Sequence, residues 1–428
     1  MPKDFTPLAI PIEQHTLGNG LRVILSPDAT VPIVSVAVYY DVGSRNEVRG
    51  RSGFAHLFEH MMFQGSANVG KAEHFQFVNH RGGECNGTTS EDRTNYFETL
   101  PSSELELGLW LEADRLRSLA VTPENFENQR QTVIEERRQS YENRPYMMSF
   151  LRINELAYHG YWPYEHSTIG DMKDLLDAPI EAVQEFFATW YCPNNAILSI
   201  CGEIDPAETM RLVEKHFGAI PRGNPPGFRE VPVPVQSAER SDTLIDSLAE
   251  VPAFHLVYRI PPSRTPDHYA LELLADVLGD GRSARLYQAL VKQREICQEV
   301  HISTDYRRGP DLFSFWSVLS EGHTGAEARA VIYDQLADIA DNGITAREFE
   351  KVQNRTRASF VFGLQTSMRR ASRLAEFALY WGDPTLLRTE LGRYLEVTPA
   401  DIQRVARTYL VPNNRIWIDV VPPAEQAA

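Results

Sequence analysis

Hydrophobic positions along this chain recur with two spacings. Residues 34–40 (VSVAVYY) mostly alternate and predict a strand, as do residues 21–25 after the turn signal Gly18-Asn19-Gly20. From residue 52 to 63 the period lengthens. At ~100° per residue, Phe54, Leu57, Phe58, Met61 and Met62 fall within about 140° of one another, an apolar helical stripe. His56, Glu59 and His60 fall together on the opposite side. A second amphipathic helix runs through Phe75 and Val78 and stops at Gly82-Gly83. Residues 84–100 are polar, Thr-rich and extended, more like strand than helix. A helix over 103–120 is built on Leu105, Leu109 and Leu116, and Thr122-Pro123 starts another over 124–139.

The pattern then breaks. Residues 221–227 (PRGNPPG) open a Pro-rich linker that continues through VPVPV at 231–235. Beyond it come a strand over 254–260, a helix over 268–278, a strand over 311–319 and long helices filling most of 325–341 and 346–371. The segment YCPNNAILSI at 191–200 is echoed by YLVPNNRIWI at 409–418, about half a chain later, each after an amphipathic helix. The echo predicts a duplicated α+β fold: two homologous α/β-sandwich domains over 1–220 and 241–428, joined by a linker over 221–240.

Composition narrows what the chain can do. With 58 acidic and 42 basic residues, the net charge of −16 argues against a nucleic-acid partner. No apolar run approaches the ~20 residues of a membrane span. The first residues, MPKDFTP, lack the apolar core of a signal peptide, which favours a cytoplasmic protein, or a periplasmic one if the sequence is a processed mature form. Cys85, Cys192, Cys201 and Cys297 show no Cys-x-x-Cys spacing and read as free thiols of a reducing compartment.

The polar face of the 52–63 helix carries the candidate chemistry. Two imidazoles at i and i+4 can share one small cation, and the carboxylate of Glu59 beside them can take a proton from a water held there. The pattern His-x-x-Glu-His is an inverted zincin motif. In the 124–139 helix, Phe126, Gln129, Val133 and Glu136 share one face, with Glu135 turned ~100° away. Glu136 is therefore the favoured third ligand and Glu135 the alternative.

Three segments carry a resemblance to the pitrilysin/insulinase family of inverzincin metallopeptidases, most of all its short bacterial members and the zinc-bearing subunit of mitochondrial processing peptidase. They are GFAHLFEHM at 53–61, GGECNGTT at 82–89 with Asp92, Thr94 and Tyr96 after it, and QTVIEE at 131–136. The resemblance implies two duplicated half-shells and one zinc ion per chain, held by His56, His60 and Glu136, with Glu59 as general base. It implies that unfolded peptides add as a strand along the segment containing Asn86, Gly87 and Thr88, where Asn86 otherwise reads as an Asn-Gly turn. Two departures stand out. Gln129 replaces a Glu that many relatives carry near the metal. In the second half, the Arg and Tyr with which active members hold the substrate backbone fall on Val291 and Gln298, with Arg294 nearly a helical turn away from the first. The resemblance thus implies a heterodimer, in which a homologous Arg/Tyr-bearing subunit completes the site. A self-sufficient homodimeric peptidase and a non-catalytic assembly subunit are the alternatives.

Overall fold

In the computed structural model, residues 5–423 are described. Met1 to Asp4, part of the stretch read above for a leader, and the last five residues lie outside. Two sheets organise the chain. The first contains β1 (Glu13–Thr16), β2 (Arg22–Pro27), β3 (Ile33–Tyr40), β4 (Glu84–Thr89), β5 (Thr94–Pro101) and β6 (Ala196–Gly202) in the order β1-β2-β6-β3-β5-β4. The second contains β7 (Arg240–Ile245), β8 (Ala253–Ile260), β9 (His301–Thr304), β10 (Asp311–Val318) and β11 (Arg415–Val421) in the order β7-β11-β8-β10-β9.

The duplication holds strand by strand apart from β1, which pairs antiparallel with β2 and has no counterpart among the described strands of the second sheet. The pair β2 and β6 is parallel, and β6, β3, β5 and β4 follow antiparallel. The pair β7 and β11 is likewise parallel, and β11, β8, β10 and β9 follow antiparallel. Both Pro-Asn-Asn segments make the tight turn that delivers the last strand to the sheet centre. Asn195 Nδ2 donates to the Trp190 carbonyl at 2.9 Å, and Asn414 Nδ2 makes the matching bond to Tyr409 at 2.8 Å. The repeated sequence is thus a repeated hydrogen bond that closes the preceding helix.

In the first half the helices are α1 (Phe54–Met61), α2 (Glu73–His80), α3 (Leu105–Ser118), α4 (Pro123–Arg137), α5 (Met147–Ala157), α6 (Trp162–Glu165), α7 (Met172–Asp177), α8 (Ile180–Trp190) and α9 (Pro206–Phe217). The second half has α10 (Pro266–Gly279), α11 (Gly325–Asn342), α12 (Ala346–Phe362), α13 (Ser367–Trp381), α14 (Leu387–Glu396) and α15 (Pro399–Tyr409). One face of each sheet packs on helices of its own half, burying Leu57, Phe58, Leu109 and Val133 in the first core and Leu274, Val331 and Val405 in the second. The other faces are exchanged. Ala371, Leu374, Phe377 and Ala378 of α13 cover Ile24, Ala37, Tyr39 and Ile197 of the first sheet. Ile153 and Ala157 of α5, with Tyr158, Tyr161 and Tyr164, cover Val257, Leu312, Ile416 and Ile418 of the second. Strands buried on both faces read as continuous apolar runs, which is why β6 has no polar face at all.

Several elements differ from the sequence expectation. The helix expected over 346–371 is two, broken at Gly363 to Gln365, where Thr366 caps α13 by accepting the Arg369 N–H. The break lets α13 leave its own half and cross to the first sheet. The polar stretch 84–100 is a hairpin with its turn at residues 90–93, so Asn86-Gly87 lies within a strand, opposite Phe97 and Tyr96. β7 and β9, short strands with alternately exposed residues, carry too weak an apolar pattern to be read in advance. Residues 221–239 run without regular structure, and the four cysteines are free thiols. No helix among the described residues is long and apolar enough to cross a membrane.

The exchange makes a prediction about stability. Phe377 is fully buried against the first sheet, so Phe377→Ala should cost about 3–5 kcal/mol. Denaturant unfolding checks the loss. Hydrogen exchange should show it in β3 and β6, although the residue belongs to the second half.

A candidate metal centre beside an open sheet edge

α1 is short, and its placement is set at its first residues. Gly53 has φ 86°, and a side chain there would meet the Ile169 carbonyl at 2.8 Å. The opposing Gly170, φ 80°, comes so close that a Cβ would lie 2.5 Å from Gly53 Cα. Only two glycines permit this backbone contact. The buried Glu47 carboxylate accepts the N–H groups of Gly53 and Ala55 at 2.9 and 2.7 Å, satisfying donors that the first helical turn leaves open. His166 Nε2 lies 3.0 Å from the same carboxylate and stacks on Trp162, fixing Glu47 in turn.

Beyond this anchor the helix follows its hydrophobic pattern. Phe54, Ala55, Leu57, Phe58 and Met61 are buried, while His56, Glu59 and His60 are only partly covered. α4 packs beside α1 and brings Glu136 to the histidines. Its carboxylate lies 3.6 Å from His56 Nε2 and 3.1 Å from His60 Nε2. Glu135 points away, accepts from the Gln139 amide at 3.0 Å and pairs with Arg138 at 3.6 Å. Gln129 is buried about two turns earlier on the same face and reaches His60 with its side chain. Directly after Glu136 the helix widens into a π-helical turn over Arg138–Glu142, an irregularity frequent at functional sites.

The protonation pattern follows from these contacts. Burial and the neighbouring His60 push His56 down to about 4. Burial would lower His60 as well, but the hydrogen bond and charge of Glu136 outweigh it and raise it. The same hydrogen bond holds Glu136 below the usual carboxylate range. Donor atoms ~2.1 Å from one tetrahedral centre stand ~3.4 Å apart, and the two distances above bracket that separation. One atom each from His56, His60 and Glu136 lies within 4.8 Å of the others. Two imidazoles and a carboxylate are a donor set suited to zinc.

Glu59 sits between this cluster and strand β4. Burial raises its pKa, and the Thr89 hydroxyl, donating to Glu59 Oε2 at 2.6 Å, opposes the rise. A side chain at Gly87 would approach Glu59 Cγ to 3.1 Å, so Gly87 and Thr89 are the β4 positions turned towards α1. β4 is the last strand of its sheet, with β5 on one side only. Asn86 is exposed, and its amide oxygen accepts the N–H of Gly87 at 2.8 Å. Thr88 donates to Asn95 on β5, and its carbonyl accepts from Arg93 at 2.8 Å. In the second half, Val291 packs against that half's own core, Gln298 Nε2 donates to the Leu319 carbonyl at 3.0 Å, and Arg294 is exposed.

Three residues that sequence reasoning did not single out for roles bear on this site. Thr89 stood in a quoted motif, but its bond to Glu59 needs β4 beside α1. Glu47 and His166 meet across more than a hundred residues, and no local pattern marks them. A second cluster, His74, Glu98 and Glu112, also brings three donors within 4.8 Å, fully buried. There Arg115 already grips Glu112 with two nitrogens, so its guanidinium is the cation of the group. Burial pushes Glu98 up to about 8 and His74 down to about 3, which leaves both neutral near pH 7.

Comparison with known proteins gives the same reading of both halves. Residues 22–167 match the model of the insulinase family, peptidase family M16, and residues 177–356 match its companion, described as the peptidase M16 inactive domain. The zinc protease PqqE of Helicobacter pylori is 29% identical over 406 residues, covering 93% of this chain and 90% of that one. The mitochondrial-processing peptidase subunit beta of Lentinula edodes is 23% identical over 424 residues, 93% of this chain and 87% of its own. The crystal structure of a protease from Helicobacter pylori superposes with a TM-score of 0.90 at 28% identity, over 97% of this chain and all of that one. With one family matched in both halves, the repeated sheet topology and the His-x-x-Glu-His helix beside its downstream Glu, the chain belongs to the insulinase family of peptidases, M16.

Proposed function

We propose that this chain is a zinc endopeptidase acting on unfolded peptides, and the catalytic subunit of a heterodimer. The observation that carries the reading is the meeting of His56, His60 and Glu136 within 4.8 Å, with Glu59 on the same helix face. These three residues would hold the ion, with Gln129 behind His60. The ion, when bound, supplies Lewis acidity and brings the pKa of a water towards neutrality. Glu59 would accept a proton from a water beside it and return it to the departing amine. Its raised pKa suits both transfers, and Thr89 holds the oxygen that stays hydrogen-bonded. An extended peptide pairs with the free side of β4 near Asn86, Gly87 and Thr88. Recognition through backbone hydrogen bonds favours flexible chains and tolerates many sequences.

The partner is proposed from what the second half lacks. Val291 packs against the second core and Gln298 is engaged with Leu319, so neither offers an Arg or Tyr group to a substrate. That one relative is named as a subunit supports an assembly of unlike chains. The missing pair would come from a homologous subunit.

Substitutions separate the roles. Glu59→Gln should keep zinc at one ion per chain, measured by elemental analysis, and lower kcat by at least about 10³. Glu136→Gln should weaken zinc affinity by about 10-fold or more, while Glu135→Gln, which removes a group bonded to Gln139 and Arg138, should leave it unchanged. The reverse order would reject the assignment of the third ligand. The pure chain should cleave peptides poorly and gain activity when an Arg/Tyr-bearing homologue from the same source is added. Full activity of the chain alone, unaltered by that addition, rejects the heterodimer.

A further inference from the structure

Asp92 stands in the segment that identified the family, yet neither metal binding nor proton transfer uses it. Its surroundings give it a role. The turn between β4 and β5, residues 90–93, is gripped from both halves of the molecule. From the first half, the N–H groups of Ser44 and Arg45 donate to the carbonyls of Ser90 and Glu91 at 3.2 and 3.0 Å. Arg45 Nη1 donates to Asp92 Oδ1 at 2.9 Å, with both side chains only 3% exposed. Tyr164 also donates to Asp92 Oδ1, at 2.8 Å. Gly43 presses so close that a side chain there would meet the Ser90 and Glu91 carbonyls at 2.4 Å.

From the second half, the loop between β9 and β10 plugs into the same turn. The Arg308 N–H donates to Asp92 Oδ2 at 2.8 Å, and the Gly309 N–H donates to the Tyr164 hydroxyl at 2.8 Å. Arg307 Nη2 bonds Glu91 Oε1 at 2.9 Å, and its guanidinium lies 5.0 and 5.4 Å from the ring centres of Tyr158 and Tyr164. Arg308 Nη1 reaches Asp41, which also pairs with Arg45. A hairpin turn is ordinarily among the most mobile parts of a sheet. This one is enclosed by charge pairs whose geometry is exacting.

We propose that Arg307, Arg308 and Asp92 are positioning residues, through which the second half braces the β4–β5 turn. The brace fixes the open edge of β4 and holds the Thr89 hydroxyl against Glu59. A strand offered to an incoming peptide must be ordered beforehand, or each binding event has to order it. The inference rests on the reading of β4 as the peptide-holding edge, but its physical content can be measured without substrate.

The test uses the full chain free of metal, comparing wild type with Arg307→Met and with Arg307→Met/Glu91→Gln. The double variant removes Glu91 together with its partner, and Asp305, which also pairs with Arg307 at 2.9 Å, is 40% exposed, so the comparison separates loss of the brace from the cost of an orphaned buried carboxylate. Amide exchange followed by mass spectrometry should run about tenfold or more faster in residues 85–89 of both variants, with β3 and β6 unchanged. With zinc and partner restored, KM for a peptide should rise by roughly tenfold, with kcat within about threefold and zinc stoichiometry unaltered. Exchange at β4 that stays at the wild-type rate in the double variant overturns the proposal. So does an acceleration spread evenly over the whole first sheet. If no variant, wild type included, cleaves any peptide, the peptidase reading falls and the exchange result still decides the brace.

Discussion

The structure depends on burying both faces of both sheets. Each sheet has one face covered by helices of its own half, and the other needs a cover that its half does not provide. α13 and α5 meet this need by crossing over, one in each direction. The apolar area removed from water on these exchanged faces is spread over strands at the centre of each sheet, so the two halves cannot separate without exposing Ile24, Tyr39 and Ile197 on one side and Val257, Leu312 and Ile418 on the other. The rigidity that results is what lets α1 and α4 hold three donor atoms at fixed distances. α1 has eight residues, too few to be stable alone. Its stripe of Phe54, Leu57, Phe58 and Met61 and its Gly53–Gly170 contact keep it in place, and the carboxylate of Glu47 completes its first turn.

Much of the candidate site's arrangement was readable because its residues sit on helices with a clear apolar face. The burial of Phe54, Leu57, Phe58 and Met61 dictates where His56, Glu59 and His60 point, and the same argument separates Glu136 from Glu135. In α4 the apolar neighbours are Phe126 and Val133, and the residue sharing their face is the one beside the histidines. The repeated fold was readable from the Pro-Asn-Asn echo, because Asn195 and Asn414 make the same bond in the same structural place. Such features are local, so a sequence can carry them visibly.

What could not be read is held by contacts between distant segments. The run over 346–371 looked like one helix because each residue in it is compatible with helix. Only the need of the first sheet for a cover explains why the chain turns at Gly363 and starts again at Thr366. Glu47 and His166 are ordinary loop residues until α6 brings Trp162 and His166 onto the entry to α1. Arg307 and Arg308 look like a charged turn between strands, and nothing in their spacing says that they enter a buried network of the other half. β7 and β9 are edge strands of six and four residues, and their alternation is too short to stand out.

The crossing helices also decide what the covalent linker is for. The stretch around Val233 and Val235 is exposed, Val235 to 90%, and carries none of the regular structure. A single cut there would break the thread and leave both fragments in place, since each still has a helix seated on the other's sheet. Dissociation would require withdrawing α13 from the first sheet and α5 from the second, exposing both apolar faces to water. In this protein continuity of the backbone and integrity of the fold are separate properties, and persistence in the presence of proteases is governed by the second.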